Sequence, residues 1–308
     1  MRIIFMGTPD FAVPALQSLV DNRYEVVAVV TATDKYGGRG GKQLLESAVK
    51  RCAQANGIPV LQPKNLKAPA FISELRAYRA ELQVVVAFRM LPAVVWAMPP
   101  RGTFNLHGSL LPKYRGAAPI HWAVIRGETQ TGVTTFFLQQ AIDTGHIILQ
   151  RSLPIGPDET TGEVHDRMRR LGAEAVLETV HRIEQNKADP QPQDDSAATK
   201  APKLYTELCE VNFAQPAQSL HNFIRGLSPF PTAWTTLTGK KLKLYRSSLP
   251  TEAPAAPGQP GTYLVVGKDQ LYVAAADGWV RLHELQLQGK RRSDAATFLN
   301  GYRQLFEG

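Results

Sequence analysis

The stretch YEVVAVVT, at residues 24–31, decides the fold. It is rich in β-branched residues and almost continuously apolar, which is typical of a strand buried on both faces. The run LQVVVA at 82–87 has the same character, and residues 103–107 form a shorter strand with polar ends. Helical spacing at 10–20 and 43–56 flanks the first of these strands. Such alternation predicts an α/β fold with a mostly parallel, Rossmann-like sheet and helices on both faces.

The second half of the chain predicts a different architecture. A helical pattern at 163–186 is followed by a Pro-containing stretch of mixed polar composition, which we interpret as a linker. Beyond it, short strands alternate with turns, as in a small OB-like β-barrel. The predicted strands cover residues 233–238, 241–247, 261–266, 270–275 and 278–287. Because 308 residues exceed one ordinary core, we expect a first domain over 1–187, a linker over 188–204 and a C-terminal domain over 205–308.

The chain is basic, with 35 Lys and Arg against 27 Asp and Glu and a net charge of +8. From residue 200 onwards, 13 Lys and Arg stand against 8 Asp and Glu, so about five of the eight positive charges lie in the last third of the chain, which includes the predicted barrel. Positive charge on a small barrel indicates a polyanionic partner such as RNA, although a solvated basic surface has the same composition. The two cysteines, Cys52 and Cys209, lack metal-ligand spacing. We therefore expect no disulfide and no metal in a protein of the reducing cytoplasm.

The amino terminus predicts a first strand and not a targeting segment. MRIIFM, at residues 1–6, has one charge and no small-residue cleavage site, and it runs directly into a Gly-Thr-Pro turn. No apolar run reaches the length that a membrane span requires, so no membrane association is expected. The strand is followed by the single glycine Gly7 without a Gly-x-Gly-x-x-Gly fingerprint, which argues against an NAD enzyme.

The most informative string is NLHGSLLPKYRG, at residues 105–116. Asn105 and His107 are two positions apart in the predicted strand. Because successive side chains point to opposite faces of a strand, these two share one face at its end. Ligands of parallel sheets bind beyond the carboxyl ends of the strands. An isolated Asn-x-His pair is usually a strand end satisfied by its neighbours. The complete string, however, resembles the signature of the formyltransferases that use 10-formyltetrahydrofolate.

This resemblance implies a catalytic trio of Asn105, His107 and Asp143. Formyl transfer to an amine passes through a tetrahedral intermediate, which needs donors near its oxyanion and a group that manages the proton. Asn105 offers amide donors, and a protonated His107 offers a charged one. Family members place an aspartate like Asp143 in a similar loop, where it would favour the protonated form of His107. The family often has an acidic residue where this chain has His146.

The resemblance also implies which residues face the folate. Against tetrahydrofolate, family members use a segment that corresponds here to Ser109, Leu110, Leu111 and Pro112. Two Leu side chains and a Pro make an apolar wall suited to a flat heterocycle. The loop at 87–92, with Phe88 and Met90, resembles the segment that cups the pterin, although both side chains could equally be ordinary core.

A second loop, KYGGRGGK at residues 35–42, carries glycine and positive charge. It is not a P-loop, because Gln43 stands where the magnesium-binding Ser or Thr is required. A disordered surface loop is one interpretation, but the basic residues also suit phosphates and exposed base edges. Family members that formylate methionyl-tRNA carry a similar insertion, which grips the acceptor end of initiator tRNA. The resemblance therefore implies tRNA contacts from Arg39, Lys42 and, in the linker, Lys203.

The function implied by the resemblance is transfer of the formyl group of 10-formyltetrahydrofolate to the α-amino group of initiator methionyl-tRNA, for translation initiation. The string GTPDFA at 7–12 and the loop at 35–42 favour it over a sugar-nucleotide N-formyltransferase, which shares the Asn-x-His and Leu-Leu-Pro strings. A third hypothesis is an RNA-binding protein with an inactive formyltransferase domain, against which the intact trio argues. The expected partners are initiator tRNA and folate, bound by a monomer.

Overall fold

A computed structural model describes residues 1–37, 40–256 and 258–306, which form two compact units. The first unit comprises Met1–Gly116, Gly132–Leu153 and His165–Lys200. The second unit comprises Ala117–Thr131, Pro154–Val164 and Ala201–Gly308. Each unit is thus assembled from several segments of the chain. The functional boundaries drawn from the sequence, 1–187 and 205–308, stay a prediction.

The secondary structure alternates strands and helices in the first half and is dominated by strands towards the end. The strands are β1 (Arg2–Gly7), β2 (Glu25–Val30), β3 (Lys35–Gly37), β4 (Gln43–Leu45), β5 (Val60–Leu61), β6 (Leu82–Val86), β7 (Thr103–His107), β8 (Gln130–Phe137), β9 (Ile147–Pro154), β10 (Ala233–Leu237), β11 (Lys240–Ser248), β12 (Tyr263–Val266), β13 (Gln270–Ala274), β14 (Trp279–Leu287) and β15 (Ser293–Asp294). The helices are α1 (Val13–Asp21), α2 (Ala48–Ala55), α3 (Pro69–Ala77), α4 (Ala93–Trp96), α5 (Pro119–Ile125), α6 (Thr161–Glu184), α7 (Ala217–Leu227) and α8 (Ala295–Tyr302).

The first unit is built on a seven-stranded sheet with the order β5-β2-β1-β6-β7-β8-β9. β1 pairs in parallel with β2 and β6, and β6 pairs in parallel with β7. β8 is antiparallel to β7. All five residues of β6 are buried, as its unbroken apolar run predicts for a central strand. The predicted mostly parallel sheet is confirmed, and β1, β6 and β7 end at the same edge.

The helix predicted over 43–56 is wrong in its first part. Residues Gln43–Leu45 form β4, which pairs antiparallel with β3, and the helix begins only at Ala48. Ser47 lies before that helix in extended conformation, and its Oγ accepts a hydrogen bond from the Lys50 backbone N–H (3.0 Å). A serine hydroxyl satisfies the otherwise free donors of a first helical turn, so Ser47 begins the helix there.

The second unit contains an antiparallel sheet with the order β10-β11-β14-β13-β12, and β15 pairs with β14. Leu220 and Ile224 of α7 belong to the same buried cluster as Leu244 of β11 and Leu282 of β14. Each predicted strand of this region is present within a few residues of its expected bounds. The predicted C-terminal β domain is confirmed.

Within the described ranges, no helix has both the length and the apolar character needed to cross a membrane. In that same part of the chain, no group of three or more His, Cys, Asp or Glu side chains could hold a metal ion.

Candidate active site

Strand β7 brings Asn105 and His107 to the carboxyl-terminal edge of the parallel strands. Asn105 lies beside Val85 of β6 and Phe136 of β8, and His107 lies opposite Thr134. Because side chains alternate along a strand, Asn105 and His107 share one face, as predicted. Asn105 is half-buried, whereas only 6% of His107 is exposed. The pair therefore combines a reachable amide with an imidazole shielded from water.

The two ring nitrogens of His107 have different surroundings. Nε2 lies 2.8 Å from the carbonyl oxygen of Tyr114. A carbonyl only accepts, so this contact requires a proton on Nε2 and leaves Nδ1 as the bare nitrogen of the neutral ring. Nδ1 lies 3.8 Å from Oδ2 of Asp143. A second proton taken up by the ring would consequently face a carboxylate, as an ion pair.

The loop that carries Asp143 has a tightly specified backbone. Asp143 adopts a left-handed conformation (φ 56°), and its Oδ2 accepts a hydrogen bond from the Gly116 N–H (2.9 Å). Gly145 follows closely, where a Cβ atom would lie 1.7 Å from the carbonyl oxygen of Phe137. Only glycine fits at that position. The Asp-Thr-Gly string thus has a steric reason. In the first unit, the structure brings Asp143 next to His107, and Asn105 lies two positions before His107 on the same face of β7.

The side chain of Gln193 forms hydrogen bonds to the backbone of this loop. The sequence analysis did not identify this residue. Its Nε2 donates to the carbonyl oxygens of Asp143 (2.9 Å) and Gly145 (2.8 Å). Its Oε1 accepts from both Nε and Nη2 of Arg115, whose Nη2 also bonds Asp195. Arg115 therefore helps to hold the Gln193 side chain against the loop that carries Asp143. Gln193 lies in the stretch interpreted as a linker, and no pattern in the sequence signals a contact with a loop about fifty residues earlier.

The predicted folate segment, 109–112, is anchored by Thr134. The Thr134 hydroxyl donates to the Ser109 carbonyl oxygen (2.6 Å) and accepts from the Leu111 N–H (3.1 Å). Gln150 Nε2 bonds both the Leu111 carbonyl oxygen and the Thr134 hydroxyl. Ser109 is fully buried, and its own hydroxyl donates to the Lys113 carbonyl oxygen (2.6 Å). The side chain of Leu110 is only partly buried and remains open to a ligand.

The two residues predicted in the loop after β6 differ from each other. Phe88 is partly buried and packs against the core cluster that contains Leu91 and Val95. Met90, by contrast, is 73% exposed. Phe88 is therefore in part an ordinary core residue, whereas Met90 is not a core residue.

The residues predicted to contact tRNA are only partly described. Arg39 lies outside the described residues. Lys42 is exposed between β3 and β4, and Lys203, in the second unit, places its Nζ 5.2 Å above the Tyr205 ring.

The hairpin formed by β3 and β4 is closed at its base by Lys50. The Nζ of Lys50 bonds Asp34 before β3 (2.5 Å) and Glu46 after β4 (2.7 Å). Hydrogen bonds from Lys50 and Gln62 hold the pKa of the Asp34 carboxyl below its usual value. The strands that carry the glycine-rich loop therefore start and end at a charged, hydrogen-bonded base.

Comparison with known proteins places these features in one family. A model of the formyl transferase family matches residues 1–180, and a model of the formyl transferase C-terminal domain matches residues 203–303. The chain belongs to the formyl transferase family. A methionyl-tRNA formyltransferase from Parabacteroides distasonis is 51% identical over 318 aligned residues, which cover all of this chain and 97% of that protein.

Solved structures share the fold at much lower identity. HypX from Aquifex aeolicus, in complex with tetrahydrofolic acid, has a TM-score of 0.68 at 19% identity, over 98% of this chain and 47% of that one. A sugar 3N-formyl transferase has a TM-score of 0.70 at 19% identity, over 94% and 99% of the two chains. The family expected from the string at 105–116 is confirmed by the family models and the full-length relative.

The anchoring role of Thr134 gives a stability prediction. Thr134→Val should lower the free energy of unfolding by about 2–3 kcal/mol, because three hydrogen bonds are lost, two of them fully buried with partners that stay buried. The matched control is Thr131→Val in the same strand, since the Thr131 hydroxyl is buried without a hydrogen-bond partner among the described residues. That control should be neutral or stabilising in urea denaturation. Equal losses in both variants would contradict the role assigned to Thr134.

Proposed function

We propose that this chain transfers the formyl group of 10-formyltetrahydrofolate to the α-amino group of initiator methionyl-tRNA. The observation that carries the proposal is the 3.8 Å approach of His107 Nδ1 to Asp143 Oδ2, at the end of the strand that also bears Asn105. The arrangement occurs in a chain that is 51% identical, over its full length, to a methionyl-tRNA formyltransferase.

The chemistry assigns Asn105 to the formyl oxygen. The amine nitrogen forms a bond to the formyl carbon, and the bond from that carbon to the folate nitrogen then breaks. Negative charge develops on the oxygen between these steps, where a fixed amide donor is worth about 3 kcal/mol. The half-buried Asn105 amide supplies such a donor from a rigid strand. Activation of the amine demands little, because α-amino groups titrate near 8.

His107 and Asp143 manage the proton. The attacking amine loses one proton and the departing folate nitrogen gains one, so the site must move a proton without consuming it. His107 Nδ1 is the nitrogen free to take it, since Nε2 is engaged with the Tyr114 carbonyl. Asp143 lies where it stabilises the imidazolium that results. Both groups return to their starting state after each turnover.

The folate is assigned to the segment 109–112 and to the loop after β6. The Ser109 hydroxyl is already bonded to Lys113, so this residue contributes shape and backbone. Leu110, with Leu111 and Pro112, forms the wall against the heterocycle. Phe88 and the exposed Met90 cover the pterin from the neighbouring loop.

The tRNA is assigned to Arg39, Lys42 and Lys203, and to the basic C-terminal region 205–308. Phosphate contacts hold a nucleic acid in place without reading its sequence, which suits a substrate recognised mainly at its charged end. The catalytic region is 1–187, joined through 188–204. We propose that the protein acts as a monomer in the cytoplasm, where initiator tRNA is charged.

A substrate comparison tests the function directly. With 10-formyltetrahydrofolate as donor, methionyl-tRNA should be formylated rapidly, whereas uncharged tRNA should give no product because it lacks the acceptor amine. An amino-sugar nucleotide is the second acceptor, because the sugar formyltransferases share the fold. Formylation of the sugar nucleotide in preference to methionyl-tRNA would overturn the proposal.

The catalytic assignment predicts large losses in turnover. Asn105→Ala should lower kcat about 10²- to 10³-fold, and His107→Ala and Asp143→Asn about 10²- to 10⁴-fold, with KM for tRNA little changed. Asp143→Asn keeps an oxygen for the Gly116 N–H, so the loop can retain its shape. His146→Ala is the matched control, since that histidine is exposed in the same loop. Near-normal kcat in His107→Ala would remove the mechanism.

The tRNA assignment predicts a different kinetic signature. Arg39→Ala, Lys42→Ala and Lys203→Ala should each raise KM for methionyl-tRNA, leave kcat at saturation unchanged and lower the salt slope of log(kcat/KM) by about one. Lys67→Ala, at an exposed lysine outside these segments, is the control. If the control has the same effect, net charge and not these positions governs tRNA binding.

A further inference from the structure

A cavity of about 320 Å³ lies at the amino-terminal ends of β6 and β7, at the opposite end of these strands from Asn105 and His107. Its walls come from the end of α3, the start of β6 and the turn before β7. The volume is within the range of about 300–1,000 Å³ that is usual for small-molecule sites. The family chemistry described above makes no use of this region.

Gln83 is one of the residues that line the cavity, and the hydrogen-bonding capacity of its buried amide is incompletely satisfied. Gln83 is fully buried, and its Nε2 has no hydrogen-bond partner among the described residues. Its Oε1 lies 3.0 Å from the Thr103 hydroxyl, which also lies 2.7 Å from the Trp96 carbonyl oxygen. The hydroxyl has a single proton, so either orientation of the amide leaves one polar atom unpaired. A buried polar atom without a partner is destabilising, and a ligand that bonds it removes that penalty.

Two arginines supply the charge at the same cavity. Arg76 and Arg79 line it and are exposed, and among the described residues their guanidinium groups form no ion pair or hydrogen bond. The one acid in the lining, Glu81, is already engaged, because Oε2 accepts from the Arg2 N–H (2.8 Å) and Oε1 lies 3.8 Å from Arg101 Nε. The cavity lining thus combines two exposed arginines that have no described acidic partner with a buried glutamine whose amide has an unpaired atom.

The remaining lining is apolar. Leu75 is fully buried, Pro99 also lines the cavity, and Met98 packs against the core cluster that contains Leu75. These side chains favour a hydrocarbon or ring between the two polar ends of a ligand.

We propose that this cavity binds a small hydroxy-carboxylate. Arg76 and Arg79 hold the carboxylate, as guanidinium groups do in bidentate pairs. The hydroxyl bonds the Gln83 amide, and it suits either orientation of that amide because a hydroxyl both donates and accepts. The hydrocarbon between them packs on Leu75 and Met98. The site is independent of the formyl transfer assigned to the carboxyl-terminal edge of the sheet.

Methionine methyl NMR on the full chain tests this site, with 4-hydroxybenzoate as the probe. The chain has five methionines, of which Met98 lines the cavity and the buried Met168 does not. Met98→Leu assigns the signal. We expect the Met98 methyl to shift in a saturable manner and the Met168 methyl to stay in place. Absence of a saturable Met98 shift up to about 10 mM probe, a concentration that detects even weak binding, would overturn the proposal.

Matched ligands and variants test the two polar contacts. Benzoate and phenol, which each lack one polar end, should bind about tenfold more weakly than 4-hydroxybenzoate. Arg79→Asn should weaken probe binding about tenfold, whereas Arg23→Asn should not. Arg23 is the matched control because both arginines are exposed and left-handed (φ 48° and 61°). Equal binding of benzoate and 4-hydroxybenzoate, or equal effects of the two substitutions, would overturn the assignment.

Discussion

The hydrogen bond from His107 Nε2 to the Tyr114 carbonyl oxygen is the interaction on which the candidate site depends. It fixes which nitrogen carries the proton in the neutral ring and turns Nδ1 towards Asp143. Three segments must meet for this to happen: the end of β7, the turn at 114–116 and the loop at 143–145. The Gly116 N–H bonds the Asp143 carboxylate, so the turn that orients the imidazole also orients the acid.

This arrangement is held by conformations that the backbone would not adopt freely. Tyr114 and Asp143 both lie in the left-handed region (φ 62° and 56°), which costs about 1 kcal/mol or more at each non-glycine residue. The surrounding contacts offset that cost. Gln193 bonds two carbonyls of the Asp143 loop, and Thr134 bonds two backbone groups of the segment 109–112. These contacts fix the positions of the proposed catalytic groups in the free protein.

The sequence predicts those parts of the structure that follow from local periodicity. The strands β2, β6 and β7 and the strands of the second unit have sequence patterns that few other structures satisfy, although only the second half of β2 is buried. The alternation of side chains along a β-strand is enough to place Asn105 and His107 on one face of β7. The short helices α3 and α5 were missed, because nine and seven residues are too few for a clear helical period. The helix expected at 43–56 begins only at Ala48, because residues 43–45 pair with β3 and Ser47 caps the first helical turn.

Sequence patterns do not predict contacts between segments that are far apart along the chain. Asp143 was identified only through resemblance, because nothing local distinguishes its Asp-Thr-Gly string from an ordinary turn. Gln193 and the Thr134 hydroxyl have no sequence signature at all, since each acts on backbone atoms of another segment. Such residues become visible only when hydrogen bonds are followed through the folded chain.

The most direct test of the account is ¹⁵N NMR of the histidine ring nitrogens of the protein, with His107 assigned by substitution. We predict a protonated Nε2 and a bare Nδ1 in the neutral ring, because Nε2 donates to the Tyr114 carbonyl oxygen. A neutral ring with its proton on Nδ1 would contradict this assignment.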